Sequence, residues 1–317
     1  MSSFISLDLS CEDGSDAKKR IVATLQDLVN DTESPGSAAK IIHGVIIDDC
    51  RDAYTSYNSV SNLTAEQIES STVRTPKPGG WMEYLWDCLG RAAMRVPADH
   101  KGQDRLVDLL QELQQLPKSP VPEFVAGEMR ETLLWNITKE TRYEGLTQWL
   151  WDLDQGNFNG APRQVESDPN AATAYINFSA FLARLLASGV ADTNTLSALR
   201  RPSPFATSHQ DHIVRDLPRY EPYAAAAAQW ILYAGDVLFE LCEKRILVEV
   251  GSLTYSRALW YVWSVKFKVF AESNESSTEV REFARQAVNK IDQCKKDGIN
   301  PAKSVIEKFG YIRPEEN

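Results

Sequence analysis

YAAAAAQWILYAGDVLFELCEKRILVEV, residues 223–250, is the stretch that decides the fold. Five consecutive alanines, Ala224 to Ala228, lead into a dense apolar run. Alanine has the highest helix propensity and no side chain to hold a neighbour away, so the stretch predicts a central helix that others approach closely. Trp230, Ile231, Leu232, Val237, Leu238, Phe239, Leu241 and Cys242 spread apolar atoms over most of its circumference. A helix apolar nearly all round belongs inside. Gln229, Asp236, Glu240 and Lys244 fall on one narrow strip at helical spacing, the side expected to meet water or a polar partner. On that strip Asp236 reads as a solvated edge or as one wall of a cleft.

At 317 residues the chain outgrows a single small core, so two packed lobes are expected. Hydrophobic residues at 43% and charged residues at 25% are globular usage, which excludes global disorder. A net charge of -10, with Lys and Arg scattered, excludes a nucleic-acid surface and an anionic membrane as partners. The five cysteines, Cys11, Cys50, Cys88, Cys242 and Cys294, form no CxxC pair, so neither a zinc ribbon nor a disulfide framework is suggested. Cys88 and Cys242 fall in apolar helical patterns, as small buried hydrophobes do. With no secretory leader and no apolar run of membrane length, the expected location is the cytoplasm.

Working outward, residues 1–14 read as a flexible arm. Ile21, Leu25 and Leu28 mark a first helix, and Ser34-Pro35 is an N-cap and N1 pair that opens a second. Residues 58–80 are a polar linker ending in TPKPGG. Residues 81–117 hold two helices stopped by Pro97 and Pro117, the second with a stripe of Leu106, Leu109, Leu110, Leu113 and Leu116. Residues 118–123 read as a proline-rich turn and 130–154 as a weakly patterned helix. A Gly, Asn and Pro loop at 155–167 separates an N-terminal lobe, 15–160, from a C-terminal lobe, 161–317. Asp168-Pro169 and Gly189 bracket a helix over 170–188. A short helix over 193–200 and a proline-containing excursion over 201–222 follow. Helices over 256–271, 277–295 and 302–309 close the chain. No segment reads as a strand. The fold class is therefore all-α, an irregular multi-helix bundle of about nine to eleven helices in two packed lobes.

Several of these segments carry a resemblance. Trp81, Trp86, Pro97, His100, Gln103, Asp104, Leu106, Leu110, Leu113 and Pro117, in W(x)4W followed by RVPADHKGQDRLVDLLQEL and LP, resemble a filamentous-fungal family catalogued only as a domain of unknown function. INFSAFLARLL around Asn177 and Arg184, the alanine run with Trp230 and Gly235, and GSLTYSRALWYVWSVKF around Gly251, Arg257, Trp260 and Trp263 are similar to it as well. The resemblance implies an all-helical cytosolic fungal protein and brings no activity, cofactor or partner.

Chemical constellations are sparse. His209 and His212 have HxxH spacing beside Asp211, but two histidines do not make a metal site and nearby prolines favour a loop. There is no GxSxG, GxGxxG or GxxxxGK[ST], so nucleophile and phosphate cradles are missing. His43 reads as a core residue and His100 as part of a helix start. Asp152 and Asp154, two apart, cannot face each other on a helix and read as a solvated end. Asn177 and Arg184 lie seven apart on one helical face, and Gln103 and Asp104 open the leucine-rich helix. A buried arginine must be paired, either to lock helices together or to anchor an anionic ligand. Trp149 and Trp151, near the lobe boundary, suit an exposed interface.

These readings assign no catalytic residue, no metal and no cofactor. The expected function is a non-enzymatic helical protein-interaction module, self-associating or with a protein partner. The alternative is a binding protein for a small apolar or anionic ligand in an interhelical cleft, with Asn177, Arg184, Gln103, Asp104, Trp149 and Trp151 as its contacts.

Overall fold

The computed structural model describes residues 4–9, 14–59, 73–159, 162–200, 203–248 and 253–311. Cys11, Gly251 and most of the 58–80 linker lie outside these. The longer helices are α1 (Asp16–Val29), α2 (Pro35–Asn58), α3 (Pro78–Arg95), α4 (Lys101–Gln115), α5 (Leu146–Asp154) and, after the short α6 (Pro162–Ser167), α7 (Pro169–Ser188). Two short helices, α8 (Pro204–Thr207) and α9 (Gln210–Arg215), precede α10 (Leu217–Glu243), α11 (Arg257–Glu272) and α12 (Thr278–Asp297). The fold is all-α. Among the described residues no helix is long and apolar enough to cross a membrane.

Sequence-local signals place the helix ends. Ser34 Oγ accepts the Ser37 N–H at 3.2 Å and Asp168 Oδ1 accepts the Asn170 N–H at 2.8 Å, as capping residues should. Gly189 closes α7 with φ +74°, a left-handed conformation that glycine adopts without penalty. At the start of α4, His100 Nδ1 accepts the Gly102 N–H at 3.0 Å, so this histidine caps the helix start on which it was expected to lie.

Two hairpins correct the expectation of no strand. β1 (Pro120–Val125) pairs antiparallel with β2 (Glu128–Leu133), where a turn and part of a helix were expected. Ala126 and Gly127 between them both have positive φ, the geometry of a two-residue turn whose twist matches the strands. β3 (Leu247–Val248) pairs with β4 (Leu253–Thr254). The central helix accordingly ends at Glu243, because Arg245 turns the chain at φ +52° and Leu247 and Val248 beyond it pair as strand. It also begins six residues earlier than its alanine run suggests. Pro222 removes one backbone donor, and burial of Leu217, Tyr220 and Tyr223 outweighs that loss. The expected 201–222 excursion thus becomes α8, α9 and the first turns of α10. The expected loop at 155–167 is a π-helical turn at Gln155–Asn159 and α6, and the expected short helix at 193–200 shrinks to a 3-10 turn.

The chain divides into two compact units, Met1–Ala92 with Asp104–Trp149, and Ala93–Gln103 with Leu150–Asn317. In the first, α1 packs on α2 and α2 on β1. Residues 4–9 are anchored there instead of frayed: Ile5, Leu7 and Leu9 are buried. Asn30 and Gln26 hold their backbone, with the Ile5 N–H on Asn30 Oδ1 and the Leu7 N–H on Gln26 Oε1, each at 2.8 Å. In the second unit α10 is the spine. It packs along α7, α11 and α12, and its alanine run is buried throughout.

Candidate functional site

Three of the six residues expected to bind a ligand come together within the second unit, at the C-terminal end of α3. A helix end leaves carbonyls without intrahelical donors. Gln103, wholly buried, directs Nε2 at the carbonyls of Ala93 (3.0 Å), Val96 (2.7 Å) and Asn177 (3.3 Å). Asn177 Nδ2 donates to the Met94 carbonyl at 3.0 Å. Arg184 donates to the carbonyls of Ala98 at 2.9 Å and Ala180 at 3.2 Å, and its guanidinium lies 3.4 Å from the centre of the Tyr233 ring. The Tyr233 hydroxyl donates to the same Ala98 carbonyl at 3.0 Å. A cation at the negative end of a helix dipole is favourably placed. The arrangement clamps two carbonyls in the last turn of α3, those of Ala93 and Met94, and those of Val96 and Ala98 just beyond it. Sequence reasoning saw the polar residues in apolar slots but not their target, since carbonyls leave no trace in residue identity.

The other three are placed differently. Asp104 is exposed on the first turn of α4. Trp151 is 46% exposed on α5, whereas Trp149 is half-buried and its indole N–H is out of contact with solvent.

The polar strip of α10 departs from expectation. Gln229 and Glu240 are buried, and only Asp236 is exposed. Glu240 Oε1 accepts from Lys244 Nζ at 2.5 Å and from Ser304 Oγ at 2.8 Å, which offsets the cost of burying its charge. Asp236 Oδ1 accepts from Lys290 Nζ at 2.7 Å and from the Cys294 thiol at 3.2 Å. Burial, and then this hydrogen bond, push the Cys294 thiol up to about 12, so it is no nucleophile at neutral pH. Gly235 allows the close approach here: a Cβ would lie 3.2 Å from Lys290 Cε.

Asp236 is indeed one wall of a cleft. A recess of about 830 Å³ opens between α10, α12 and residues 298–301, with Glu240, Asn289, Gln293, Asp297 and Asn300 among its lining. Gly298 and Ile299 also line a second recess of about 450 Å³, with Phe239, Glu243, Arg257, Trp260 and Lys295. Arg257 is held by Glu243, its Nε and Nη2 both donating to the carboxylate at 2.6–3.0 Å. Gly298 and Ile299, common to both, join the two recesses into one groove. Its far wall was not legible in the sequence, because a wall is made by how α12 packs beside α10 and not by residue identity.

Elsewhere, His209 and His212 are exposed with ring centres 6.4 Å apart, His209 at the N-cap and His212 within the short helix α9. Among the described residues no three His, Cys, Asp or Glu side chains gather to hold a metal ion. His43 Nδ1 accepts the Trp135 indole N–H at 2.9 Å, and burial lowers its pKa. Asp154, expected at a solvated helix end, is buried and accepts from Gln155. In the first unit, Arg142, Tyr143 and Glu144 form a left-handed turn with φ of 52°, 56° and 50°. Such backbone costs about 1–2 kcal/mol per residue. It is held by the Tyr143 N–H on the Thr138 carbonyl at 2.7 Å and the Asn136 N–H on Glu144 Oε1 at 2.8 Å. Burial raises the Glu144 pKa.

Fold and site together define a protein of the all-α class with a buried polar clamp and a mixed polar and aromatic interhelical groove. The chain belongs to the family described as protein of unknown function (DUF3632), whose model matches residues 86–267. That span contains every residue of the clamp and the α10 wall of the groove. No curated protein and no solved structure matches the chain.

Proposed function

We propose that this chain is a non-enzymatic helical interaction module that holds a protein partner in the groove beside α10 and α12. The observation that carries this is the groove, a recess of about 830 Å³ continued past Ile299 into one of about 450 Å³. Clefts of this size, with apolar surface and a few convergent polar groups, are the usual seats of ligands. Its amides, charges of both signs and aromatic floor suit a peptide segment better than a purely apolar molecule. In this proposal the protein works in the cytoplasm of a filamentous fungus, as a monomer or a homo-oligomer. Its four described cysteines are buried thiols, in keeping with a reducing compartment. The competing idea, an apolar or anionic small molecule seated by Asn177 and Arg184, meets donors already engaged with main-chain carbonyls.

A peptide-display selection on the immobilised full chain tests the proposal, with Ile299→Asp for counter-selection. Ile299 is 37% exposed, so this variant keeps its fold. The expected result is a set of peptides whose affinity falls at least about tenfold on Ile299→Asp, a loss of ~1.4 kcal/mol. Failure to enrich any peptide, or equal binding to both proteins, would overturn it.

A further inference from the structure

We infer that the groove takes an extended peptide segment in which a lysine or arginine side chain enters beside Asp297 and Glu240 while an apolar neighbour covers Phe239, Trp260 and Ile299. This rests on the groove being the docking site and specifies the chemistry of its occupant.

Three observations carry it. The first is a charge imbalance in the larger recess. Asp236 is matched by Lys290 and Glu240 by Lys244. Asp297 Oδ2 accepts only the Gln293 side-chain amide at 2.8 Å, and among the described residues no cation lies on it. A carboxylate on a groove wall with a neutral partner favours a cation from the ligand. The second is the smaller recess. Phe239 and Trp260, with ring centres 5.3 Å apart, line this recess together with Ile299, which is 37% exposed, so its floor is apolar and aromatic. An apolar side chain laid over that floor is removed from water, which favours its docking there. The third is the lining between: Asn289, Gln293 and Asn300 carry side-chain amides, and although Gln293 Nε2 donates to Asp297 and Asn300 Oδ1 accepts the Ala302 N–H at 3.1 Å, the Gln293 oxygen and the Asn300 nitrogen retain capacity to pair with peptide main chain. A free amine would use the first feature and leave the other two idle.

The test is fluorescence anisotropy with positional-scanning libraries of labelled hexapeptides on the full chain, and with spermine as competitor. The expected preference is Lys or Arg at one position and an apolar residue close by. Replacing an exposed ion pair costs little, so Asp297→Asn should weaken the best peptide about two- to fivefold. Asp297→Lys should weaken it more and turn the preference toward Asp or Glu. Ile299→Ala, which shrinks the apolar floor, should cost about two- to fivefold. Asp297 and Ile299 both reach the surface, so these variants leave the buried core untouched. Peptides that depend on Ile299 but show no basic preference, or one unchanged in Asp297→Lys, overturn this inference and leave the docking site standing. Spermine displacing the best peptide at equal affinity identifies a small amine and also overturns it. Absence of any Ile299-dependent binding overturns both.

Discussion

Gln103→Leu separates a structural clamp from a ligand site. The wild-type side chain is wholly buried and its Nε2 reaches three carbonyls, those of Ala93, Val96 and Asn177. An amide nitrogen carries two protons, so the substitution removes two full hydrogen bonds and leaves two buried carbonyls unpaired, at a cost of about 1–3 kcal/mol each. One term opposes this. Gln103 Oε1 is itself buried with no donor among the described residues, so its removal recovers about 1–3 kcal/mol. The balance is a destabilisation of about 2 kcal/mol, or roughly 3 °C in melting temperature at about 2.1 cal/mol/K of unfolding entropy per residue over 317 residues. Gln103→Glu should be worse, above about 3 kcal/mol, because it aims a buried carboxylate at carbonyl oxygens. Urea denaturation followed by near-ultraviolet circular dichroism reads both. The clamp is refuted if Gln103→Leu stays within about 0.5 kcal/mol of the parent, a typical surface substitution, or if the Leu and Glu variants are indistinguishable.

Arg142→Gly should raise stability by about 1 kcal/mol in the same assay, since Arg142 is exposed and held at φ +52° where glycine is unstrained; a loss of stability there would contradict the left-handed turn. Asn30→Ala removes the acceptor for the Ile5 N–H and the donor to the Ile5 carbonyl, both at 2.8 Å. Amide hydrogen exchange over residues 5–9 should therefore accelerate at least tenfold, ~1.4 kcal/mol of local opening. Lys266, buried and donating to the Phe205 and Ala206 carbonyls at 2.8 and 3.0 Å, has its pKa lowered by burial from 10.5 to about 8. Between those values the unfolded chain binds the proton and the folded chain does not, so this group's contribution to stability rises with pH by about 3 kcal/mol in all. Lys266→Met lacks that rise. Its stability relative to the parent should decline steadily from pH 8 to 10.5, and a pH-independent difference would refute the buried charge.

Some of this was written in the chain. Helical periodicity and local caps are decided within a few residues, so the Ser34-Pro35 start, the span from Asp168 to Gly189 and the buried alanine run of α10 were legible. The class was too. What the sequence could not state depends on which groups meet. The residues of β1 and β2 read as turn and weak helix because a hairpin is defined by cross-strand pairing and a turn at Ala126-Gly127, not by strong period-two patterning. Glu240 looked solvated on its strip, and only Ser304, 64 positions away, together with Lys244 makes its burial tolerable. Arg184 was legible as a buried charge in need of partners, but those found are main-chain carbonyls and the face of Tyr233. The groove is likewise a property of the tertiary structure. Helical spacing put Asp236 on an edge, whereas the packing of α12 and the turn at Gly298 made that edge a wall.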